Sequence, residues 1–361
     1  MQVRSVTVFA YPEDMPAAAK AAAATRLVLE AADFEVQTVR LATPPFPLLV
    51  QSEAEAVALA TQLEADAPKF GMDYISLGPA LPSRPETYAW VPAILQATSA
   101  VFCSGVVADD EGIHPDAVRA SGEVMAALAP LEPQGFANLR FAALASVAPG
   151  APFFPAAYAP RLLPRGQVLV ALALEAADEA VRAFEPARTA EEARTNLVTA
   201  LEAQGRRLAA LTEEAAALHQ ARFLGLDFSL APFPDEMTSL GRAMERLGVA
   251  ALGLHGALAA AAFLADALDR AAFPRTGFNG LMLPVLEDAV LAARAAEGML
   301  SVKDLLAYSA VCGTGLDTVP LPGDTTADQL AAVLLDVAAL SRRLRKPLTA
   351  RLMPMPGKQA G

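Results

Sequence analysis

The chain has 361 residues, with 28 Lys or Arg against 40 Asp or Glu, which gives a formal net charge of −12 at pH 7. Such a charge has the wrong sign for a surface that follows phosphates, so we expect no nucleic acid and no membrane among its partners. The two cysteines, Cys103 and Cys312, are too few for a disulfide framework or a thiolate zinc cage. Because the N-terminus shows no secretory signal, we expect a cytoplasmic protein.

Short β-branched runs alternate with longer helical stretches along the chain, a pattern typical of a mainly parallel sheet covered by helices. We predict strands at 3–9, 35–41, 73–77, 100–107, 139–147, 167–174, 227–230, 250–254 and 348–353. We predict helices at 16–32, 52–67, 85–98, 115–128, 189–223, 237–247, 256–270, 287–296 and 326–343. The first six strands should lie in one closed or nearly closed sheet with the helices outside.

The longest helical pattern, 189–223, carries a stripe of leucines. Thr189 followed by Glu192 has the signature of a capping box at its start. The stripe is longer than one helix needs against a sheet, so we expect part of it to pack on a second copy in a homo-oligomer.

A proline-dense stretch at 149–164 cannot form a helix and is predicted to be a surface or cleft-lining loop. We favour a single domain over residues 1–361 that contains this excursion, rather than two domains. The tail at 354–361 is expected to fray.

Sequence motifs for common cofactors are absent. Neither of the two usual glycine-rich phosphate-binding motifs occurs, and the three histidines are far apart in sequence. A divalent cation held by carboxylates alone is still possible, and the cofactor is otherwise unknown.

Three segments share a Gly, an apolar residue and an Asp before a short β-like run, beginning at Gly71, Gly225 and Gly315. In parallel α/β sheets the loops that leave the carboxyl ends of strands carry the site. The second copy contains Asp227, and Asp235 and Glu236 follow it as candidate ligand-binding residues.

Other candidate side chains lie beside glycines or apolar runs. His255, in GLHG, could act as an acid or base or could be an ordinary core histidine. Cys103, in an apolar strand, could be a nucleophile or a small core residue. Arg275 and Asn279, in RTGFNGLM, could recognise a carboxylate or an amide, whereas Glu287 and Asp288 satisfy the typical pattern of a helix start.

Together these segments resemble domain-of-unknown-function family 711, whose members are often labelled PFL family. The segments that carry the resemblance are VRSVTV, GMDYISLGP, SAVFCSG, GLDFSLAPFP, GLHGALAAAAFL, LMLPVLEDA and AVCGTGLDTVPLPGDT. The resemblance implies a large, mainly parallel α/β barrel like that of pyruvate formate-lyase and other glycyl radical enzymes, with central loops that reach into the lumen. It implies no known reaction.

The chain also departs from that family. PFFPAAYAP stands where a Phe-His-Gly segment is expected, and the family's extension beyond MPMPG is not found. An Arg-Val-x-Gly-Tyr loop of the radical glycine type is absent, so we expect a barrel without the radical.

Two functional hypotheses remain. In the first, Cys103, Asp227, His255 and Asn279 converge at the C-terminal strand rim of the barrel and form a small-molecule site of unknown chemistry, with Cys103, Asp227 and His255 as catalytic candidates. In the second, the barrel is not catalytic and binds a metabolite or a protein partner.

Overall fold

A computed structural model describes residues 1–232, 235 and 238–359 of the chain. The strands are β1 (Gln2–Phe9), β2 (Val36–Ala42), β3 (Tyr74–Ala80), β4 (Val101–Asp109), β5 (Gly112–Ile113), β6 (Phe141–Ala145), β7 (Val168–Glu175), β8 (Ala221–Asp227), β9 (Gly315–Pro322) and β10 (Leu348–Met355). The helices are α1 (Met15–Ala31), α2 (Glu53–Asp66), α3 (Val91–Gln96), α4 (Pro115–Leu128), α5 (Ala177–Phe184), α6 (Ala190–Leu218), α7 (Leu240–Arg246), α8 (Ala257–Arg270), α9 (Ala289–Ala296), α10 (Val302–Cys312) and α11 (Ala327–Leu344).

All of these strands belong to one sheet, in the order β8-β7-β1-β2-β3-β4-β6-β10-β9, with β5 paired to β4. Strands β1, β2, β3, β4 and β6 run parallel to one another. Strand β7 is antiparallel to β1, and β10 is antiparallel to β6. Strand β8 runs parallel to β7, and β9 runs parallel to β10. The sheet therefore consists of two groups of parallel strands that run in opposite directions.

The two edge strands, β8 and β9, are connected by a loop segment rather than by a direct ladder. Isolated parallel bridges join Leu226 to Arg275, Leu230 to Leu281, and Pro284 to Asp317. The sheet is thus not closed by a continuous ladder of hydrogen bonds, but residues 275–284 lie between its two edge strands. The predicted α/β barrel-like fold is confirmed, and the first six predicted strands all lie in this sheet.

Alternate side chains along a strand face either the helices outside the barrel or the barrel interior. In β1, Val6 and Val8 join the core formed with the helices, whereas Phe9 packs with Phe154 and Leu169 in a separate inner cluster. This division follows from the two-residue period of a strand. Each large apolar side chain buried in either layer contributes roughly 1.5–3 kcal/mol.

Residues 150–160 of the proline-dense stretch are buried or half-buried inside the barrel, so the cleft-lining alternative of the prediction fits them. Arg161, Leu162 and Pro164 are exposed, as the surface alternative expected. Thr7 Oγ1 donates a hydrogen bond to Pro152 O at 3.0 Å, and Ser76 Oγ donates to Ala157 O at 2.7 Å. The Phe153 and Phe154 side chains are buried. Hydroxyls on the inner faces of strands thus satisfy the carbonyls that a buried loop would otherwise leave unpaired.

Several predicted boundaries need correction. The predicted strand at 250–254 is a series of turns, because Gly253 has φ +88° and packs directly against the Met299 backbone. Strand β9 was not among the predicted strands, although the sequence shows a short β-like run after Gly315. The tail remains paired beyond residue 354, since β10 continues to Met355 and Gly323 N donates to Lys358 O at 3.0 Å.

Helix α6 begins where predicted but ends earlier, at Leu218. Thr189 caps it by accepting a hydrogen bond from Glu192 N at 3.1 Å. The stripe residues Leu197, Leu201 and Leu208 are buried within the chain itself, so they need no second copy to cover them. The homo-oligomer stays a prediction. In the described part of the chain, every helix is too short or too polar to cross a lipid bilayer.

Candidate functional site

A cavity lies inside the barrel, at the end where β1 to β4 begin and β7 and β8 finish. Its volume is about 300 Å³. Its charged lining residues are Arg4, Arg40, Arg351, Glu287 and Asp317, and its aromatic ones are Tyr74, Phe102, Phe153, Phe154 and Phe278. The cavity lies beyond the carboxyl end of β8 but at the amino ends of β1 to β4, whereas the sequence predicted a site at the carboxyl ends of strands.

A β-bulge brings Arg4 to this cavity. Val3 pairs with Leu174 and Ser5 with Ala173, which leaves Arg4 as an extra residue in β1. An extra residue breaks the alternation of a strand and re-aims its side chains. Arg4 therefore lines the cavity beside the inward-facing residues of the strand.

A β-bulge in β9 brings Asp317 to the cavity in a similar way. Leu316 pairs with Ala350 and Val319 with Leu352, so that two residues of β9 lie opposite Arg351 alone. The extra residue, Thr318, is buried and has φ +40°, a conformation rare for a β-branched side chain. Strain of this kind concentrates at functional sites. Here it accompanies the placement of Asp317 against Arg351.

Three carboxylates form ion pairs with two of the three arginines. Arg4 pairs with Glu175, and its Nη2 lies 3.1 Å from Glu287 Oε2. Arg351 Nη2 lies 3.5 Å from Glu287 Oε1, and its Nε donates to Asp317 Oδ1 at 2.5 Å. Glu287 thus bridges the two guanidinium groups across the cavity.

Arg40 is the exception. Its side chain is 8% exposed, and within the described residues no carboxylate oxygen lies within 4.0 Å of it. Its Nε donates to Thr38 Oγ1 at 2.8 Å, and its guanidinium carbon lies 5.2 Å from the ring centre of Phe154 and 5.6 Å from that of Tyr74. Burial, together with the positive charge of Arg4, lowers the pKa of Arg40 to about 9. Arg40 is therefore a buried cation on the cavity wall that makes no direct ion pair within the described residues, although the charge of Glu175 acts on it from farther away.

Asp227 and Asn279 come together as predicted, but in a packed arrangement. Asp227 Oδ1 accepts hydrogen bonds from Ser229 Oγ at 2.6 Å and Asn279 N at 3.0 Å, and its Oδ2 accepts one from Phe278 N at 2.7 Å. Burial raises the pKa of Asp227, and these donors oppose that rise. A carboxylate so fully occupied holds the 276–280 loop in place and presents no free oxygen to a ligand.

The structure does not bring Cys103 or His255 to that pair. Cys103 is fully buried in the outer core, on the opposite face of β4 from the cavity-lining Phe102. His255 is exposed in the turn before α8. The predicted convergence at one barrel mouth was therefore wrong for these two side chains.

The predicted ligand-binding residues are also placed elsewhere. Arg275 donates to Leu268 O and to Ala271 O, so it caps the end of α8. Asp235 is exposed, and Glu236 lies outside the described residues. Asp288 confirms the helix-start interpretation, because its Oδ1 accepts hydrogen bonds from two backbone N–H groups at the start of α9.

The thiols offer a direct test of the nucleophile hypothesis. Burial raises the pKa of Cys103 to about 12, so very little thiolate forms at neutral pH. We expect Cys103 and the buried Cys312 to react with a disulfide reagent at least about a hundredfold more slowly in the native chain than in urea. Rapid labelling of Cys103 in the native protein would instead support an activated nucleophile.

Sequence reasoning missed the residues that line the cavity. Arg40 and Arg351 each stand between apolar residues inside a strand, in VQTVRLA and LTARLM. An arginine on the inner face of a barrel strand is the signal that could have identified them. In the described part of the chain, no group of three or more His, Cys, Asp or Glu side chains is placed to hold a metal ion.

The fold and site define an α/β protein with a barrel-like sheet and an arginine-lined interior cavity. The chain belongs to the family described as Uncharacterised ACR (DUF711), whose model matches residues 3–361. The family resemblance read from the sequence is thereby confirmed.

Several relatives can be aligned with most of this chain. A UPF0210 protein of Pyrobaculum aerophilum is 32% identical over 343 residues, which cover 90% of this chain and 75% of the relative. A UPF0210 protein of Neisseria gonorrhoeae is 30% identical over 339 residues, covering 88% and 73%. One of Syntrophobacter fumaroxidans is 32% identical over 329 residues, covering 86% and 72%. The similarity thus extends over the strands and loops that form the cavity.

Proposed function

We propose that the protein binds a small anionic molecule inside the barrel, with Arg40 as its principal contact. The observation that carries this proposal is a buried guanidinium with no carboxylate partner in the described residues, on the wall of a cavity. A buried charge without a partner is unfavourable, and an anion would supply the partner. This is the metabolite-binding alternative of the sequence analysis.

The polarity of the cavity supports a ligand with one charged end. Because Nε of Arg40 is engaged by Thr38, the two Nη groups are left for a bidentate contact with an anion. The hydroxyls of Thr314 and Thr349 also line the cavity but donate to backbone carbonyls, so Arg40 is the available donor. The remaining walls are mainly apolar and include five aromatic side chains. A volume of about 300 Å³ is at the small end of the range for ligand pockets.

We also propose that the barrel is related to that of pyruvate formate-lyase, which the loop inside the barrel supports. A cytoplasmic location and the absence of nucleic-acid and membrane partners stay predictions.

The test is calorimetric titration with two small aromatic anions, benzoate and phenyl phosphate, into the wild-type protein and the Arg40→Met variant. We expect at least one anion to bind, with a loss of at least about tenfold in affinity in the variant, because a charge-assisted hydrogen bond is removed. Arg26→Met is the control, since Arg26 lies on α1 in an exposed ion pair with Glu30. Equal binding by wild type and Arg40→Met, or no binding of either anion, would overturn the proposal.

A further inference from the structure

We infer that the ligand is an aromatic monocarboxylate, a molecule with one negative charge and a flat apolar body. This inference rests on the proposed function, and it adds the charge and shape of the ligand.

The charge follows from the pairing around the cavity. Arg4 and Arg351 already share three carboxylates, those of Glu175, Glu287 and Asp317. Among the cavity arginines, Arg40 is therefore the one without an ion pair in the described residues, and a single carboxylate would supply one. A dianion would leave its second charge facing Glu287 and Asp317, which also line the cavity.

A neighbouring cavity strengthens the preference for one charge. It has a volume of about 490 Å³ and shares Gln37 and Ala231 with the first. Four carboxylate side chains line it, those of Asp33, Glu35, Glu175 and Asp178. A second negative charge that extended from the Arg40 end in this direction would be repelled.

The shape follows from the aromatic wall. Tyr74 and Phe102 pack edge to face with ring centres 5.4 Å apart, and Phe102 and Phe154 do so at 5.3 Å. Phe153 and Phe278 also line the cavity. Aromatic side chains favour offset-stacked or edge-to-face contacts with another ring, which an aliphatic body cannot make.

The experiment compares four probes of similar length by calorimetry: 3-phenylpropanoate, its neutral amide 3-phenylpropanamide, the dianionic 2-phenylethyl phosphate at pH 8, and 3-cyclohexylpropanoate. We expect 3-phenylpropanoate to bind at least about tenfold more tightly than each of the other three. In Arg40→Met its advantage over the amide should disappear, while Arg26→Met should retain the wild-type order.

The outcomes separate this inference from the proposed function. Suppose that the probes lose affinity in Arg40→Met, so that anion binding stands. Tighter binding of the phosphate would then overturn the monocarboxylate, and equal binding of the cyclohexyl compound would overturn the aromatic body. If no probe distinguishes wild type from Arg40→Met, both the inference and the proposed function are overturned.

Discussion

Replacing Asp227 by Asn is expected to lower the free energy of unfolding by about 3 kcal/mol, although the side chain keeps its size. Both carboxylate oxygens of Asp227 accept hydrogen bonds from Ser229 and from the backbone of 278–279. An amide NH₂ in either position would face an N–H donor in a fully buried site. Denaturant unfolding followed by circular dichroism measures the change.

The matched control is Asp73→Asn, in the first copy of the same Gly-apolar-Asp pattern. Asp73 is exposed and accepts one backbone hydrogen bond, from Val39 N at 2.7 Å. We expect that variant to lose no more than about 1 kcal/mol. Equal losses in the two variants would show that the Asp227 network contributes nothing beyond an ordinary loop contact.

Arg40→Met and Arg140→Met are expected to change stability in opposite directions. Without a ligand, Arg40 is a buried cation near Arg4, so its replacement by an apolar side chain should raise the free energy of unfolding by about 1–3 kcal/mol. Because its pKa in the folded chain is lowered to about 9, the protonated group disfavours folding at any pH below that value. The contacts with Tyr74 and Phe154 offset part of this effect.

Arg140 is equally buried but fully partnered. It donates to Thr98 O at 2.8 Å, Leu95 O at 2.9 Å and Glu132 Oε1 at 2.6 Å. Arg140→Met should therefore lower the free energy of unfolding by about 3 kcal/mol in the same assay. A destabilisation of similar size in Arg40→Met would mean that Arg40 is a structural residue and not a ligand contact.

Most of the sheet could be predicted from the sequence because its central strands are short, mainly apolar segments that alternate with longer helical stretches. The β-like run after Gly315 was not counted as a strand because GLDTVPLP contains two prolines and a charged residue, which β9 accommodates as an edge strand. The apolar run at 250–254 was taken for a strand, although Gly253 makes a turn whose backbone touches Met299. Composition alone could not distinguish these two cases.

The site was harder to predict for a different reason. Polar residues beside glycines were selected, at His255 and Arg275, since loops usually carry function. The cavity instead takes its charge from Arg40 and Arg351 inside strands, where a charged residue normally faces solvent. Only the curvature of the sheet makes that face an interior, and curvature depends on long-range pairing that local patterns do not encode.

The bulge in β1 affects only one of the two neighbours of the strand. Against β7, Arg4 is an extra residue between Val3 and Ser5, whereas against β2 the register is continuous, with Val3 beside Val36 and Ser5 beside Thr38. Deleting Arg4 would therefore move the irregularity from the β7 side of the strand to the β2 side. The residue that carries charge into the cavity also keeps β1 in step with β2, so the charged interior and the sheet cannot be altered separately at this position.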